Sequence, residues 1–358
     1  VTAAAGQPGG AADRPPLCTY FDRNYLPQGI ALYRSLERHA PGFRMTMLCM
    51  DDSSLAIARK LELPAADVIS AEDLIEFEPR LAQARRDRGT VEFYYACTPW
   101  LVARTIETAS APGATYLDAD MFFFADISTI YEEAPQASSM LIAHASGDER
   151  AEVAHGRFNV CLVHFRSSSE GRAALRWWGE STLKSTRLGD GVWGDQKYLD
   201  EFPERFPATR VIASPGAAPA AWNIVGPRLE RREGRLFIGG HPLISYHFAR
   251  FLAISRHLFV PIRREWLPRR VLRLIYWPYM TAIRSAIEEI TAVEPSYRVG
   301  YTRRNLRGAL LGVLAGRTFY EGSRGMRRLG VYVPSGRPEA MALYQRVRRR
   351  RTASAFRS

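Results

Sequence analysis

No stretch of this 358-residue chain reaches the about 18 consecutive apolar residues that a membrane-spanning helix needs. The best run, Gly308 to Gly316, is far too short and is bracketed by Arg307 and Arg317, so the chain is not expected to cross a bilayer. Cysteine is also sparse. Cys18, Cys49, Cys97 and Cys161 each sit in an apolar stretch, and no pair has the close spacing of a zinc site or redox motif. They read as buried free thiols of a reducing cytoplasm. Lysine is absent from residues 261–358, which carry 21 arginines against six glutamates. The net charge of the whole chain is +12, so residues 1–260 are close to neutral. A neutral body thus precedes a strongly basic tail, which should select a negatively charged partner surface. Internal repeats are missing too. Apolar residues are plentiful at 46%, enough for a soluble globular core and too many for disorder throughout. The opening Val-Thr-Ala-Ala-Ala-Gly-Gln-Pro-Gly-Gly lacks the basic and apolar regions of a signal peptide. Residues 1–15 therefore read as a flexible leader.

Residues 17–21 form a first expected strand, followed by Asp22-Arg23-Asn24-Tyr25 and a helix with Leu26, Ile30, Leu32 and Leu36 on its apolar face. Phe43 to Met50 is a second strand, ended by Asp51-Asp52 before a helix carrying Leu55, Ile57 and Leu61. The alternation continues through a strand at 67–70 and an amphipathic helix at 91–109. Such a pattern predicts a doubly wound, mostly parallel sheet. Ligands of such sheets bind beyond the carboxyl ends of the strands, where Asp22, Asp51 and Asp118 fall. The second half offers a strand at 158–165, a helix near 168–186, an acidic turn Gly194-Asp195-Gln196-Lys197, a proline-containing loop at 214–222 and a strand at 243–247.

The segment Thr-Tyr-Leu-Asp-Ala-Asp-Met-Phe-Phe-Phe, 115–124, delivers Asp118 and Asp120 at the end of an apolar strand. Residues i and i+2 of a strand face the same side, so a hard divalent cation would sit between the two carboxylates. Cations of this kind take oxygen ligands and share them with substrate phosphates, which points to a nucleotide diphosphate. Asp-x-Asp arises by chance roughly once in a chain of this size, so its context has to agree.

That context resembles the bacterial nucleotide-diphospho-sugar glycosyltransferases of the GT-A fold, of the retaining class that includes glycogenin and the lipooligosaccharide galactosyltransferases. The matching pieces are Phe-Asp-Arg-Asn-Tyr (21–25), Ala-Leu-Tyr-Arg-Ser-Leu (31–36), Tyr-Leu-Asp-Ala-Asp (116–120), Phe-Asn-Val (158–160), Gly-Asp-Gln-Lys-Tyr-Leu (194–199) and Ser-Tyr-His-Phe (245–248). They run in the family's order over residues 17–250. The resemblance implies an α/β fold: a mixed, mostly parallel sheet flanked by helices over 16–258. A basic, largely helical, aromatic-rich extension would follow at 259–351, with a disordered tail at 352–358. It also implies a metal-dependent enzyme that moves a sugar from a UDP-sugar or similar donor to a cell-surface glycan or lipid-linked acceptor.

Carried over residue by residue, Asp22, Asn24 and Tyr25 match the segment holding the base and ribose of the donor. Asp118 matches a ribose and metal contact, Asp120 a direct metal ligand and His247 the third ligand of a Mn²⁺ or Mg²⁺ ion. His241 is the rival for that last position. Asp195 and Gln196 match a pair beside the anomeric carbon, and a glutamine there favours front-face, oxocarbenium-like transfer over a covalent intermediate. Asn159 is expected on sugar hydroxyls, and Trp222 with Asn223 on the acceptor. The chain departs from the family after His247, where Phe248-Ala249-Arg250-Phe251 replaces a further His or a Gly and Lys. Arg250 is the residue placed to meet the diphosphate. Arg104 is the nearest match to a basic residue on the helix before the metal strand.

Trp266, Tyr276, Trp277 and Tyr279 interleave with Arg263, Arg264, Arg269, Arg270 and Arg273. That mixture suits an anionic membrane surface and implies a cytoplasmic protein peripheral on the inner leaflet; a helical cap on the body is the plainer reading of the same residues. Two other functions are weaker. Nucleotidyl transfer needs a glycine-rich phosphate loop, and residues 20–30 contain only Gly29. Nucleic-acid binding through Arg346 and 348–351 lacks a base-reading module.

Overall fold

The computed structural model describes residues 14–189, 191–224, 228–255, 258–260, 267–298, 318–322 and 325–329. Strands and helices alternate through the first third: β1 (Leu17–Phe21), α1 (Leu26–His39), β2 (Met45–Cys49), α2 (Asp52–Lys60) and β3 (Ala66–Ser70). After two short helices, α3 (Thr90–Thr108) returns the chain to β4 (Gly113–Leu117). Local chemistry sets these boundaries. Pro27 lies in the first turn of α1, where a missing N–H costs nothing. Asp51 caps α2 by accepting from the Ser54 N–H at 2.9 Å.

The central sheet has the order β8-β6-β7-β4-β1-β2-β3, where β6 is Ser139–Ala143, β7 is Phe158–Arg166 and β8 is Thr209–Val211. Strands β4, β1, β2 and β3 are parallel to one another, as β8 is to β6. β7 runs antiparallel between β4 and β6, and α4 (Glu149–His155) lies between β6 and β7 in the chain. The two sheet faces feed separate cores: one side gathers α1 and α2 with Leu17, Phe21 and Leu117, and the other gathers α3 and α5 (Ser169–Lys184) around Trp178, Cys18 and Tyr116. The mixed, mostly parallel sheet flanked by helices is the expected fold class. All four cysteines are buried and free.

Parallel β1, β2 and β4 end at one edge, so Asp22, Asp51 and Asp118 emerge side by side. Beyond that edge, β5 (Met121–Phe123) pairs antiparallel with β9 (Ser245–His247), with Met121 opposite His247.

Residues 267–298 pack on the body as a helical cap. α6 (Trp277–Val293), entered through a π-helical stretch Leu272–Tyr276, places Met280, Ile283, Ile287 and Ile290 in the core that holds α1. Arg34 pairs with Glu289 at 2.8 Å and Lys60 with Glu294 at 2.9 Å across that contact. Tyr276 and Tyr279, expected at a lipid headgroup layer, are fully buried. They fill the space behind β9, where Phe248 stacks on Tyr279 with ring centroids 3.6 Å apart. Trp277 remains 40% exposed beside exposed Arg269, Arg270 and Arg273. The described part of the extension also includes strands, in an antiparallel sheet of 252–255, 258–260, 318–322 and 325–329. Trp266, Arg263, Arg264, residues 1–13 of the leader, the arginines at 346–351 and the tail at 352–358 lie outside the described residues.

Replacing Phe248 by alanine removes the ring that joins β9 to α6, and should destabilise the fold by about 3–5 kcal/mol. Urea unfolding of the two proteins measures this; a loss within experimental error would show that the cap does not depend on that ring.

Candidate functional site

β4 ends at Leu117, one residue before the first carboxylate. Asp118 instead opens a turn closed by the Met121 N–H donating to its carbonyl at 3.0 Å. The strand alternation expected to align Asp118 and Asp120 therefore does not operate; the turn brings Asp120 round. β9 completes the group. His247 Nε2 lies 3.2 Å from Asp120 Oδ1 and 3.6 Å from Asp118 Oδ2. One ligand atom from each of the three residues falls within 4.8 Å of the others. Adjacent ligands of an octahedral Mg²⁺, about 2.1 Å from the ion, would be ~3 Å apart, so the group fits a hard cation after a small contraction. His241 is exposed on the surface strand His241–Pro242 and is not part of this group.

The surroundings also suit an ion. Asp120 and His247 are buried, and Asp118 is half-buried with Oδ1 accepting from the Tyr116 hydroxyl at 2.8 Å. That hydrogen bond leaves Asp118 Oδ2 toward the imidazole. Burial pushes the Asp118 carboxyl above its ordinary value; His247 draws it down and Asp120 pushes it further up. Burial works against a charged His247, but Cys161 and Asp120 outweigh it and hold the imidazole well above its usual range. Without a cation the proton does the ion's work, and an arriving cation would have to displace it. His247 Nδ1 has no nitrogen or oxygen partner among the described residues, and the Cys161 thiol lies beside the ring.

Asp22 organises the turn after β1. Its Oδ1 accepts from the N–H groups of Asn24 and Tyr25, at 2.9 and 3.2 Å, and its Oδ2 from Asn24 Nδ2 at 3.1 Å. The Tyr25 ring is left 42% exposed at the mouth of the site, within electrostatic reach of Asp120 and Asp118.

Asp195 is buried from the other side. The Trp178 indole N–H donates to its carbonyl at 2.8 Å. Gly194 before it has φ +61°, and a Cβ there would meet the Tyr95 ring at 2.9 Å, so only glycine suits the turn. Asp195 Oδ2 and the neighbouring Thr98 Oγ1 are both buried; the hydroxyl lies close enough to draw the carboxyl down, yet neither atom completes a hydrogen bond of good geometry among the described residues. Burial pushes the Asp195 carboxyl up to about 7, and Asp118 adds to the shift. Gln196 is anchored at both ends of its amide: Nε2 donates to the His155 carbonyl at 2.9 Å and Oε1 accepts from the Val160 N–H at 3.3 Å.

Trp222 stands edge-on to His247, ring centroids 5.8 Å apart, with its indole N–H on the His144 carbonyl at 2.9 Å. Asn223 closes its own loop by accepting from the Ala220 N–H at 2.8 Å. Asn159 is buried and accepts from the Cys161 N–H at 2.9 Å. Arg250 is exposed, with a left-handed φ of +65°, just after β9. Arg104 faces Asp67 at 3.7 Å. The chain thus gathers Asp118, Asp120 and His247, with Trp222, Asp195 and the Asp22 turn around them.

Sequence reasoning missed Tyr116, Thr98 and Trp178. Tyr116 carries a legible signal, since it lies two residues before Asp118. Nothing local marks Thr98 or Trp178, which reach the site from helix faces.

No protein-family model matches the chain. It is 28% identical over 292 residues to the uncharacterized protein YfnF of Bacillus subtilis (strain 168), covering 78% of this chain and 95% of that one. With YfnD of the same organism, also uncharacterized, it shares 25% over 294 residues, covering 79% and 93%. Among solved structures, it is similar to the galactosyltransferase LgtC in complex with donor and acceptor sugar analogues, at TM-score 0.46, 12% identity and coverage of 82% and 99%. The apo glycosyltransferase GlyE of Streptococcus pneumoniae TIGR4 gives TM-score 0.47, 15% identity and coverage of 78% and 64%. Mouse xyloside xylosyltransferase 1 gives 0.41, 17%, and 66% and 98%.

In chelator-treated protein, Asp195 makes stability fall as pH rises. Its unfolded carboxyl titrates near 3.8 and its folded one at about 7, so the folded state holds the extra proton across that window. The loss should reach roughly 4 kcal/mol above the folded value. Asp195→Asn should flatten the slope between those limits, measured by denaturant unfolding at successive pH values; an unchanged slope would assign it to other groups.

Proposed function

We propose that this chain is a metal-dependent glycosyltransferase that moves a sugar from a nucleotide diphosphate, of the UDP-sugar type, to a glycan or lipid-linked acceptor. The observation that carries this reading is the Asp118–Asp120–His247 group at the carboxyl edge of the sheet, adjoining a buried carboxylate with an unpartnered oxygen. Two acids and a neutral imidazole suit Mn²⁺ or Mg²⁺. Once bound, such an ion neutralises the charge that grows on a departing diphosphate.

The residues divide the work. Tyr25 would offer a stacking face for the base, and the Asp22–Asn24 turn would hold the ribose. Arg250, three residues after His247, would meet diphosphate oxygens. Asp195, with its free oxygen, would accept from hydroxyls of the transferred sugar, and Asn159 would serve the same sugar. Trp222, fixed by His144 against His247, would wall the acceptor, with Asn223 holding that loop. In the transfer, the bond from the anomeric carbon to the β-phosphate oxygen breaks and the acceptor oxygen bonds to that carbon. The acceptor proton passes to the departing phosphate. Gln196 is a poor nucleophile and its amide is held by two backbone groups; both facts favour same-face departure and attack, hence retention.

A screen of nucleotide sugars for nucleotide release should find a donor that works only with Mn²⁺ or Mg²⁺, and Asp120→Ala should reduce release at least about 100-fold. A broad panel without metal-dependent release would defeat the reading.

The exposed stripe of Arg269, Arg270, Arg273 and Trp277 supports attachment to the anionic inner face of the cytoplasmic membrane, where a lipid-linked acceptor would be found. Each arginine near such a surface contributes about 1 kcal/mol. Changing the three arginines to glutamate should weaken binding to phosphatidylglycerol vesicles on the order of 100-fold while leaving nucleotide release intact. Undiminished vesicle binding would remove the stripe from the account.

A further inference from the structure

The turn that carries Asp22, Asn24 and Tyr25 is gripped at its tip by the C-terminal cap. Arg23, the exposed tip residue, has both backbone polar groups taken by other elements: its N–H donates to Asp51 Oδ2 at 2.6 Å, and its carbonyl accepts from the Tyr297 hydroxyl at 2.8 Å. Tyr297 is 3% exposed and lies four residues beyond the end of α6. The Arg23 guanidinium lies 6.0 Å from the centre of the same ring. The cap itself is tied down close by, through Lys60 to Glu294 and Arg34 to Glu289.

A four-residue turn held only by its own Asp22 carboxylate could rotate the Arg23–Asn24 peptide and swing the Tyr25 ring away from Asp120. A hydrogen bond from a buried, immobile hydroxyl to the tip carbonyl fixes that peptide plane. We infer that Tyr297 is a positioning residue for the nucleotide: it holds the 22–25 turn in the conformation that presents Asn24 and Tyr25 to the base and ribose. The C-terminal cap is then part of the donor site, at a position some 270 residues away in sequence. This rests on the glycosyltransferase reading. Its energetic content is preorganisation, in which the ordering cost of the turn is met in the free protein and not at binding.

The test is calorimetric titration of the full chain with UDP, GDP, ADP, CDP and dTDP in MnCl₂, comparing the unaltered chain, Tyr297→Phe and Glu289→Gln. The phenylalanine variant keeps the buried ring and loses only the hydroxyl; the glutamine variant loosens the same cap without touching the turn. Tyr297→Phe should weaken the preferred nucleotide about three- to tenfold. Its Mn²⁺ affinity without nucleotide should be unchanged, and amide exchange at residues 23–25 should be faster. Glu289→Gln should bind nucleotide as the unaltered chain does. Equal nucleotide affinity in Tyr297→Phe, or equal weakening in Glu289→Gln, overturns the inference and leaves the enzyme reading standing. No nucleotide binding by the unaltered chain overturns the enzyme reading and the inference together.

Discussion

The pairing of β5 with β9 is the constraint on which the site depends. Asp118 and Asp120 belong to one turn, but two carboxylates alone make a weak and poorly directed ligand set. His247 comes from more than a hundred residues further on, and reaches them only because the ribbon aligns Met121 with His247 and Phe123 with Ser245. Side chains on a strand alternate, so a slip of one residue would turn the imidazole away and present Tyr246 or Phe248 instead. Two hydrogen bonds oppose such a slip: the His247 N–H to the Pro219 carbonyl and the Phe248 N–H to the Asp120 carbonyl, both at 2.9 Å. The second links the backbone of a proposed ligand to the residue after another.

Aromatic packing behind the ribbon enforces the same register. Phe248 lies on Tyr279 and is flanked by Tyr246, Phe251 and Tyr276, while Phe122 on β5 meets Phe248 and Tyr279. Alternation therefore separates two chemistries on one short strand: His247 faces the carboxylates, and its two neighbours face the cap. The helix α6 supplies the apolar surface that makes this separation favourable. A body cut off near residue 258 would leave those rings facing water, so the fold and the proposed metal group share a dependence on the C-terminal helix.

Much of this was legible in the sequence. The β-α alternation, the acids at the strand ends, the Asp-x-Asp segment and the choice of His247 over His241 all lie in short patterns whose periodicity or order carries the information. The alignment of the two carboxylates was attributed to the wrong cause, because a strand ending at Leu117 and one ending at Asp120 have the same apolar pattern before them. The C-terminal aromatics divide between their two readings for a related reason: Tyr276 and Tyr279 are buried as the helical cap requires, and Trp277 stays exposed. Interleaved arginine and tyrosine fit an amphipathic helix on a protein as well as one on a lipid surface, and only the partner face distinguishes them. Thr98, Trp178 and Tyr297 were invisible because each meets the site through residues far from it in sequence, and such a meeting leaves no period in a sequence.

The unsatisfied atoms say most about what the site is built for. Taking a carboxylate out of water costs several kcal/mol even after relaxation, and a buried polar atom without a partner adds to that. This chain accepts both at Asp195, where Oδ2 has no partner and burial pushes the carboxyl up to about 7. It also brings Asp120 close to Asp118 with one imidazole between them. A fold selected only for stability would replace these groups with apolar ones, as the surrounding aromatic core does. Retaining two adjoining acid sites that lack full partners is favourable only if something else completes them. The cation and the sugar hydroxyls of the proposed function have the charge and hydrogen-bonding capacity to complete them.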